Sequence, residues 1–229
     1  MDGVKQGTRE RRVTAADNRV EGELVVLVHG LYMHGIAMLP LRRWLGACGF
    51  HGRQFSYASL RLSVAENGAR LARSLRDVDT PVVHFLCHSL GGLVVRSMLL
   101  ESSWQRSGRV LTLGTPHLGC HVARRLGANP ALAWVLGNSL RHGLDGDIPP
   151  WPGGREVATI AGNIALGAGR MVPGLPKPSD GTVAVAETVL GPDYPHAVLA
   201  VTHSSMLVSR RVADYACAYL KTGHFPGPE

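Results

Sequence analysis

Pro81-Val-Val-His-Phe-Leu-Cys-His-Ser-Leu-Gly-Gly-Leu-Val-Val-Arg-Ser-Met-Leu-Leu100 is the stretch on which the reading of the chain turns. Its first half is a short apolar run rich in valine, the pattern of a strand buried on both faces of a sheet. Leu90–Leu100 is apolar apart from Arg96 and Ser97 and reads as a largely buried helix. Between them lies Cys87-His88-Ser89-Leu90-Gly91. A strand that becomes a helix on one residue must turn sharply, so the apex side chain is thrust above the sheet on a strained backbone. Small neighbours are needed there because the two backbones pass close together. The stretch departs from the Gly-x-Ser-x-Gly pattern at its first position, where the small Cys87 replaces glycine.

Working upstream, Glu23–His29 is a second buried-strand pattern, ending in the glycine-bounded loop His29–Gly35. Ile36–Cys48 is apolar at helical spacing, Phe50–Tyr57 is a shorter strand, and Ser63–Val78 is a helix opened by a Ser63/Glu66 capping box. Downstream, Arg109–Leu113 is a strand that ends in Gly114-Thr115-Pro116-His117-Leu118-Gly119. Val122–Leu140 is apolar and helical, broken by Asn129-Pro130. Glu156–Ala161 and Ala197–Val201 are further strands, separated by the Gly/Pro-dense loop Gly162–Ser179, and Ser204–Leu220 is a closing helix. Alternating strands and helices imply right-handed crossovers and a mostly parallel sheet of about six strands, with helices on both faces. The expected organisation is a polar arm at 1–22 and one α/β domain at 23–222, with a helical cap-like insertion over about 119–152.

In such sheets reactive groups gather beyond the carboxyl ends of the strands. His29-Gly30, Ser89, Gly114-Thr115-Pro116 and His203 each follow a strand. A serine hydroxyl needs a base within hydrogen-bond reach, and the base needs an orienting acid. Of eleven histidines, His203 is the best base, standing between the last strand and the last helix. His29 precedes a loop that must supply backbone donors, His88 adjoins the nucleophile and must point away from it, and His117 follows Thr-Pro. Chain order places the acid between serine and histidine, and Asp180, in the turn Ser179-Asp180-Gly181-Thr182-Val183, fits. Asp145, Asp147, Glu156, Glu187 and Asp193 are rivals. Backbone N–H groups of Leu31 and Leu90 are placed to bind an oxyanion, the latter at a helix N-terminus.

At these residues the sequence resembles a small bacterial lipase/esterase of the α/β-hydrolase fold superfamily. The His-Gly-Leu loop, the His-Ser-Leu-Gly-Gly elbow, Gly-Thr-Pro-His-x-Gly, Ser-Asp-Gly-Thr-Val and Thr-His-Ser-Ser-Met occur in that group's order, across Leu24–Leu220. The resemblance implies Ser89 as nucleophile, His203 as base, Asp180 as orienting acid, Leu31 and Leu90 as oxyanion donors, and carboxylic-ester hydrolysis through an acyl-enzyme. It also implies a minimal, lid-poor member, with no cofactor and no metal. Tyr32, Met33, Leu118 and Trp134 are candidate substrate contacts, as are Ile36, Val122, Leu126 and Leu136, with ordinary helix packing the competing reading. An elbow does not distinguish water from another acyl acceptor, so acyltransferase, thioesterase and non-catalytic acyl-binding readings stand beside the hydrolase.

Composition narrows the partners. The 229 residues are 45% hydrophobic and 18% charged, enough for a sizeable core. The net charge of +7 comes from dispersed arginines with no basic stripe interleaved with aromatics, which are 6% of the chain, so nucleic acid is not expected. The charge allows transient contact with an anionic membrane surface, and the expected substrate is a small-molecule or lipid ester. Cys48, Cys87, Cys120 and Cys217 sit in apolar contexts without metal-ligand spacing and are expected as buried free thiols in a reducing compartment, with a disulfide as the unforced alternative. Met1–Glu23 has no apolar core of a signal peptide, so a cytoplasmic location is the expectation.

Overall fold

The valine- and leucine-rich runs all become strands. The computed structural model describes residues 22–101 and 104–227, so the polar arm expected at 1–22 lies, except for Gly22, outside the described residues. The strands are β1 (Leu24–Val28), β2 (His51–Phe55), β3 (Val83–His88), β4 (Val110–Leu113), β5 (Val157–Gly162) and β6 (His196–Leu199). All pair in parallel, in the order β2-β1-β3-β4-β5-β6. The chain steps outward from β1 to β2, returns to β3 on the other side of β1, and then adds strands away from it. Connections therefore leave β1 and β3 in opposite directions, and a crevice opens between their carboxyl ends. Val28 lies opposite Cys87, so the loop after β1 and the turn at Ser89 flank that crevice.

Both faces of the sheet are covered over its middle, so β1, β3, β4 and β5 are buried along their whole length and read as mainly apolar runs, while the edge strands β2 and β6 are partly exposed. Val26, Val28, Phe85 and Val110 pack under α2 (Val64–Ser74) and α3 (Leu90–Glu101). Val25, Leu27, Leu86 and Leu111 face α1 (Leu39–Ala47) and α5 (Arg210–Thr222). The capping box is present: the Glu66 N–H donates to Ser63 Oγ at 3.2 Å, and the Ser63 N–H donates to the Glu66 carboxylate at 2.8 Å.

Three elements differ from expectation. The helix read from Ile36 begins at Leu39, after a tight 3-10 turn over Gly35–Met38, because Pro40 suits only a first helical turn. The closing helix begins at Arg210, where Ser209 accepts from the Val212 N–H, and Ser205–Val208 forms a separate turn. The run Val122–Leu140 contains only α4 (His121–Gly127), followed by short turns over Ala133–Ser139 and Leu140–Leu144. Beyond Pro130 the backbone bonds elsewhere: the Asn138 N–H and side-chain amide donate to the carbonyls of Leu60 and Arg61 at 3.0 and 2.7 Å.

Arg96, the charge that interrupts the apolar α3 pattern, is buried. It donates to the carbonyls of His117 at 3.1 Å, Ile148 at 3.3 Å and Pro149 at 2.9 Å. One guanidinium thus fastens both roots of the segment between β4 and β5.

The expectation of four free thiols is corrected. Cys48, at the end of α1, and Cys217, in α5, form a disulfide with their Cα atoms 6.2 Å apart. The two helices pack on the same sheet face, and that tertiary contact leaves no trace in local sequence. Cys87 and Cys120 are free and buried, as expected. Among the described residues no helix is long and apolar enough to cross a membrane, and no group of His, Cys, Asp or Glu is arranged to hold a metal ion.

Candidate active site

Ser89 occupies the single residue between β3 and α3, at φ 52°. That left-handed conformation is costly for a side chain bearing Cβ and is held by its surroundings. The Ser89 N–H donates to the Leu113 carbonyl at the end of β4 at 2.8 Å. The Ser89 carbonyl accepts from Thr115 Oγ1 at 2.8 Å and from the Gly92 N–H at 3.1 Å. Thr115 is a residue that sequence reasoning passed over, although it belongs to the Gly-Thr-Pro turn already singled out. The close crossing is real: a Cβ on Gly91 would stand 2.4 Å from the Val28 carbonyl oxygen. Cys87, the departure from the elbow pattern, is fully buried beneath the turn, and burial pushes its thiol far up, which leaves it a small apolar filler.

Asp180 and His203 are brought together across two loops. Nδ1 of His203 lies 2.6 Å from Asp180 Oδ2, and the His203 N–H donates to the Asp180 carbonyl at 2.9 Å. The other carboxylate oxygen accepts from the N–H groups of Thr182 at 2.9 Å and Val183 at 2.7 Å. Asp180 is 1% exposed, so the carboxylate is fixed on both oxygens in a dry setting. A proton on Nδ1 satisfies the carboxylate and leaves Nε2 as the free basic nitrogen. Gly114 makes room for the pair: at φ 56°, a Cβ there would sit 3.0 Å from Asp180 Oδ2 and 3.1 Å from His203 Nδ1.

The His88 ring lies between the loop after β1, where a Cβ on Gly30 would stand 2.9 Å from its Nδ1, and the His203 loop, a use that the sequence did not reveal. Nε2 donates to the His203 carbonyl at 2.9 Å, and the two rings lie 4.7 Å apart. It supports the His203 loop from beneath. Burial, then the neighbouring His203, lowers its pKa to about 3, so it is neutral. His117 is likewise buried, bonded to Thr112 Oγ1 at 3.0 Å and edge-on to Trp151, with its pKa lowered to about 3 by burial.

His29 organises the loop after β1. Its Nδ1 donates to the Gly30 carbonyl at 2.8 Å, Nε2 accepts the Tyr57 N–H at 3.2 Å, and the two rings stack at 4.3 Å. The Gly30 carbonyl and the Leu31 N–H belong to one planar peptide, so clamping the first aims the second away from the His29 ring. Among the described residues neither the Leu31 N–H nor the Leu90 N–H has an acceptor. Gly30 itself abuts the elbow: a Cβ on it would lie 3.1 Å from Ser89 Cβ. Ser89 Oγ makes no hydrogen bond with any described residue.

The rival acids have other employment. Asp145 accepts backbone N–H groups within its own turn, Glu156 pairs with Arg109, and Asp193 is exposed. Glu187 is buried and accepts from the His121 N–H at the start of α4 at 2.5 Å. Of the apolar candidates, Tyr32, Ile36, Leu118 and Trp134 are exposed. Met33 leans into the core on the α1 and α5 side, and Val122, Leu126 and Leu136 pack into the core on the α2 and α3 side. For these four, ordinary packing is the structural outcome.

A parallel sheet in this order, with a strand–serine–helix elbow beside its switch point, is the α/β-hydrolase fold. Solved structures agree. Lipase BlEst2 of Bacillus licheniformis in its mature form superposes with a TM-score of 0.66 at 23% identity, over 81% of this chain and 86% of that one. Its propeptide form gives 0.69 at 22% identity, over 81% of this chain and 47% of that longer one. Carboxylesterase CesB of Bacillus subtilis gives 0.55 at 13% identity, over 90% and 85% of the two chains. A bromoperoxidase from Bacillus anthracis gives 0.63 at 15% identity, over 88% and 92%. No protein-family model and no curated protein sequence matches the chain. At these identities the likeness establishes the fold, and function must be argued from the site.

Proposed function

We propose that the protein is a serine hydrolase that cleaves carboxylic esters through an acyl-enzyme. The observation that carries this reading is the Asp180–His203 pair, a buried carboxylate 2.6 Å from an imidazole Nδ1, in a fold that also sets Ser89 on a strained elbow. In the proposed reaction Nε2 of His203 takes the Ser89 hydroxyl proton as Oγ attacks the ester carbonyl. The unpartnered N–H groups of Leu31 and Leu90 receive the developing oxyanion. His203 then protonates the departing alcohol, and water repeats the sequence to release the acid. The missing Ser89 Oγ hydrogen bond does not oppose this, because such contacts often tighten only when substrate binds.

Support for an apolar acyl group comes from Tyr32, Ile36, Leu118 and Trp134, four large exposed side chains carried by loops that follow β1 and β4. We assign the segment 119–152 as the cap over the site and a small-molecule or lipid ester as substrate. Contact with an anionic lipid surface fits the net charge of +7. The Cys48–Cys217 disulfide favours an oxidising setting over the cytoplasmic one expected from the N-terminal sequence. The test is Ser89→Ala assayed on p-nitrophenyl esters graded by chain length, with and without micelles. Turnover is expected to vanish while the melting temperature holds; an unchanged rate removes Ser89 from the mechanism.

A further inference from the structure

A cavity lies at the other end of the sheet. It opens beyond the amino ends of β1, β3, β4 and β5, has a volume of about 750 Å³, and is bounded by Trp104, Arg106, Arg109, Arg155, His84, Glu23 and Glu156 among others. Ser89, His203 and Asp180 take no part in its walls. The charges on the wall do not cancel. Arg109 is paired with Glu156, and His84 meets Glu23 at 3.2 Å. Arg106 and Arg155 have no carboxylate within ion-pair distance among the described residues. Each spends two of its N–H groups on backbone carbonyls: Arg106 on Leu75 at 3.0 Å and Arg76 at 3.2 Å, Arg155 on Val83 at 3.3 Å and on Arg106. A guanidinium carries five N–H groups, so both have donors to spare. Each is also braced by an aromatic face, Arg106 over Trp104 at 5.3 Å and Arg155 over Phe85 at 5.5 Å. Burial lowers the pKa of Arg155 to about 10, a sign that its charge is poorly solvated and unneutralised.

We propose that this cavity binds a small organic anion carrying a phosphate or carboxylate group, received by Arg155 and Arg106. Two preset forks of donors, already held by backbone and ring contacts, suit the oxygens of such a group, and little side-chain freedom is lost when it arrives. Glu23 and Glu156 are about half and more than half exposed, stand at the rim, and oppose the same ligand. The site thus also gives a use to part of the arginine excess that ester hydrolysis leaves unexplained.

Calorimetric titration of the full chain with inorganic phosphate, citrate and adenosine monophosphate tests this and separates the two oxygen chemistries. Saturable binding of at least one is expected below about 10 mM. Arg155→Met and Arg106→Gln should each weaken it roughly tenfold or more. These arginines also tie backbone segments together, so Glu156→Gln supplies a readout that a purely structural role would not move. By freeing Arg109 and removing an opposing charge it should tighten binding severalfold and make it more sensitive to salt. No saturation by any of the three anions, or equal affinity in wild type, Arg155→Met and Glu156→Gln of matched melting temperature, overturns the proposal.

Discussion

Asp180 grips His203 twice, by carboxylate to Nδ1 at 2.6 Å and by carbonyl to N–H at 2.9 Å. The second contact does not depend on the side chain, so Asp180→Asn should leave the loop in place while spoiling the tautomer of the ring. The expected outcome is a fall in kcat of roughly 10⁴ with a near-native fold, as for a base presented in the wrong protonation pattern. Steady-state kinetics beside a melting curve checks it. Near-normal activity would transfer the orienting role to another acid and break the proposed mechanism.

The peptide proposed to bind the oxyanion offers a second test that leaves Ser89, His203 and Asp180 untouched. His29 holds the Gly30 carbonyl at 2.8 Å, and its own Nε2 is engaged by the Tyr57 N–H. In His29→Phe the ring can still stack on Tyr57, but the peptide loses its clamp. A misdirected Leu31 N–H acts in the transition state more than in the ground state, so kcat should fall about 10²-fold with KM changed little. A change confined to KM would place His29 in substrate binding instead.

Both findings bear on how much the sequence disclosed. The inner strands and the elbow were legible because burial on both sheet faces favours apolar residues, as in Leu24–Val28, with His84 and His88 of β3 kept by hydrogen bonds of their own. The pairing of Asp180 with His203 could be anticipated from chain order alone. The support beneath it could not. His88 reaches the His203 carbonyl across 115 positions, and Thr115 reaches the Ser89 carbonyl across 26. Such contacts are made by folding, and no local spacing encodes them. The same holds for Cys48 and Cys217, and for the turns after Pro130, where contact with the loop at 59–61 overrides an apolar helical pattern.

Acid should weaken the fold through two histidines that have no place in the proposed reaction. Burial holds His88 and His117 neutral, each with its pKa lowered from 6.5 to about 3. His88 faces His203, Asp180 and His29, while His117 faces Arg96 and His196. In the unfolded chain both regain ordinary affinity for protons. The unfolded state therefore binds more protons between about pH 6.5 and 3, and stability falls as pH drops through that window. Replacing either ring by glutamine removes one such group, so the melting temperature of His117→Gln should decline less steeply from pH 7 to 4 than that of wild type. Parallel slopes for wild type, His88→Gln and His117→Gln would show that neither ring resists protonation in the fold.

The disulfide makes a prediction of the opposite kind, one that acts mainly on the unfolded chain. Cys48 and Cys217 are separated by 169 residues, so the bond closes a loop comprising most of the domain. In the chain-entropy account such a closure removes much of the freedom of the denatured state, typically about 3 kcal/mol in measured stability. For a domain of this size that corresponds to about 10 °C in Tm. Reductant should lower the Tm of the wild type by about that amount and leave the Cys48→Ser/Cys217→Ser double variant unmoved. Cys87 and Cys120 are buried and free, so they contribute nothing to the difference. Because α5 begins shortly after the His203 loop, ester turnover at moderate temperature should survive reduction if the bond serves stability alone. A Tm indifferent to reductant would mean that the bond does not form in the folded protein, and the inference of an oxidising setting would fall with it.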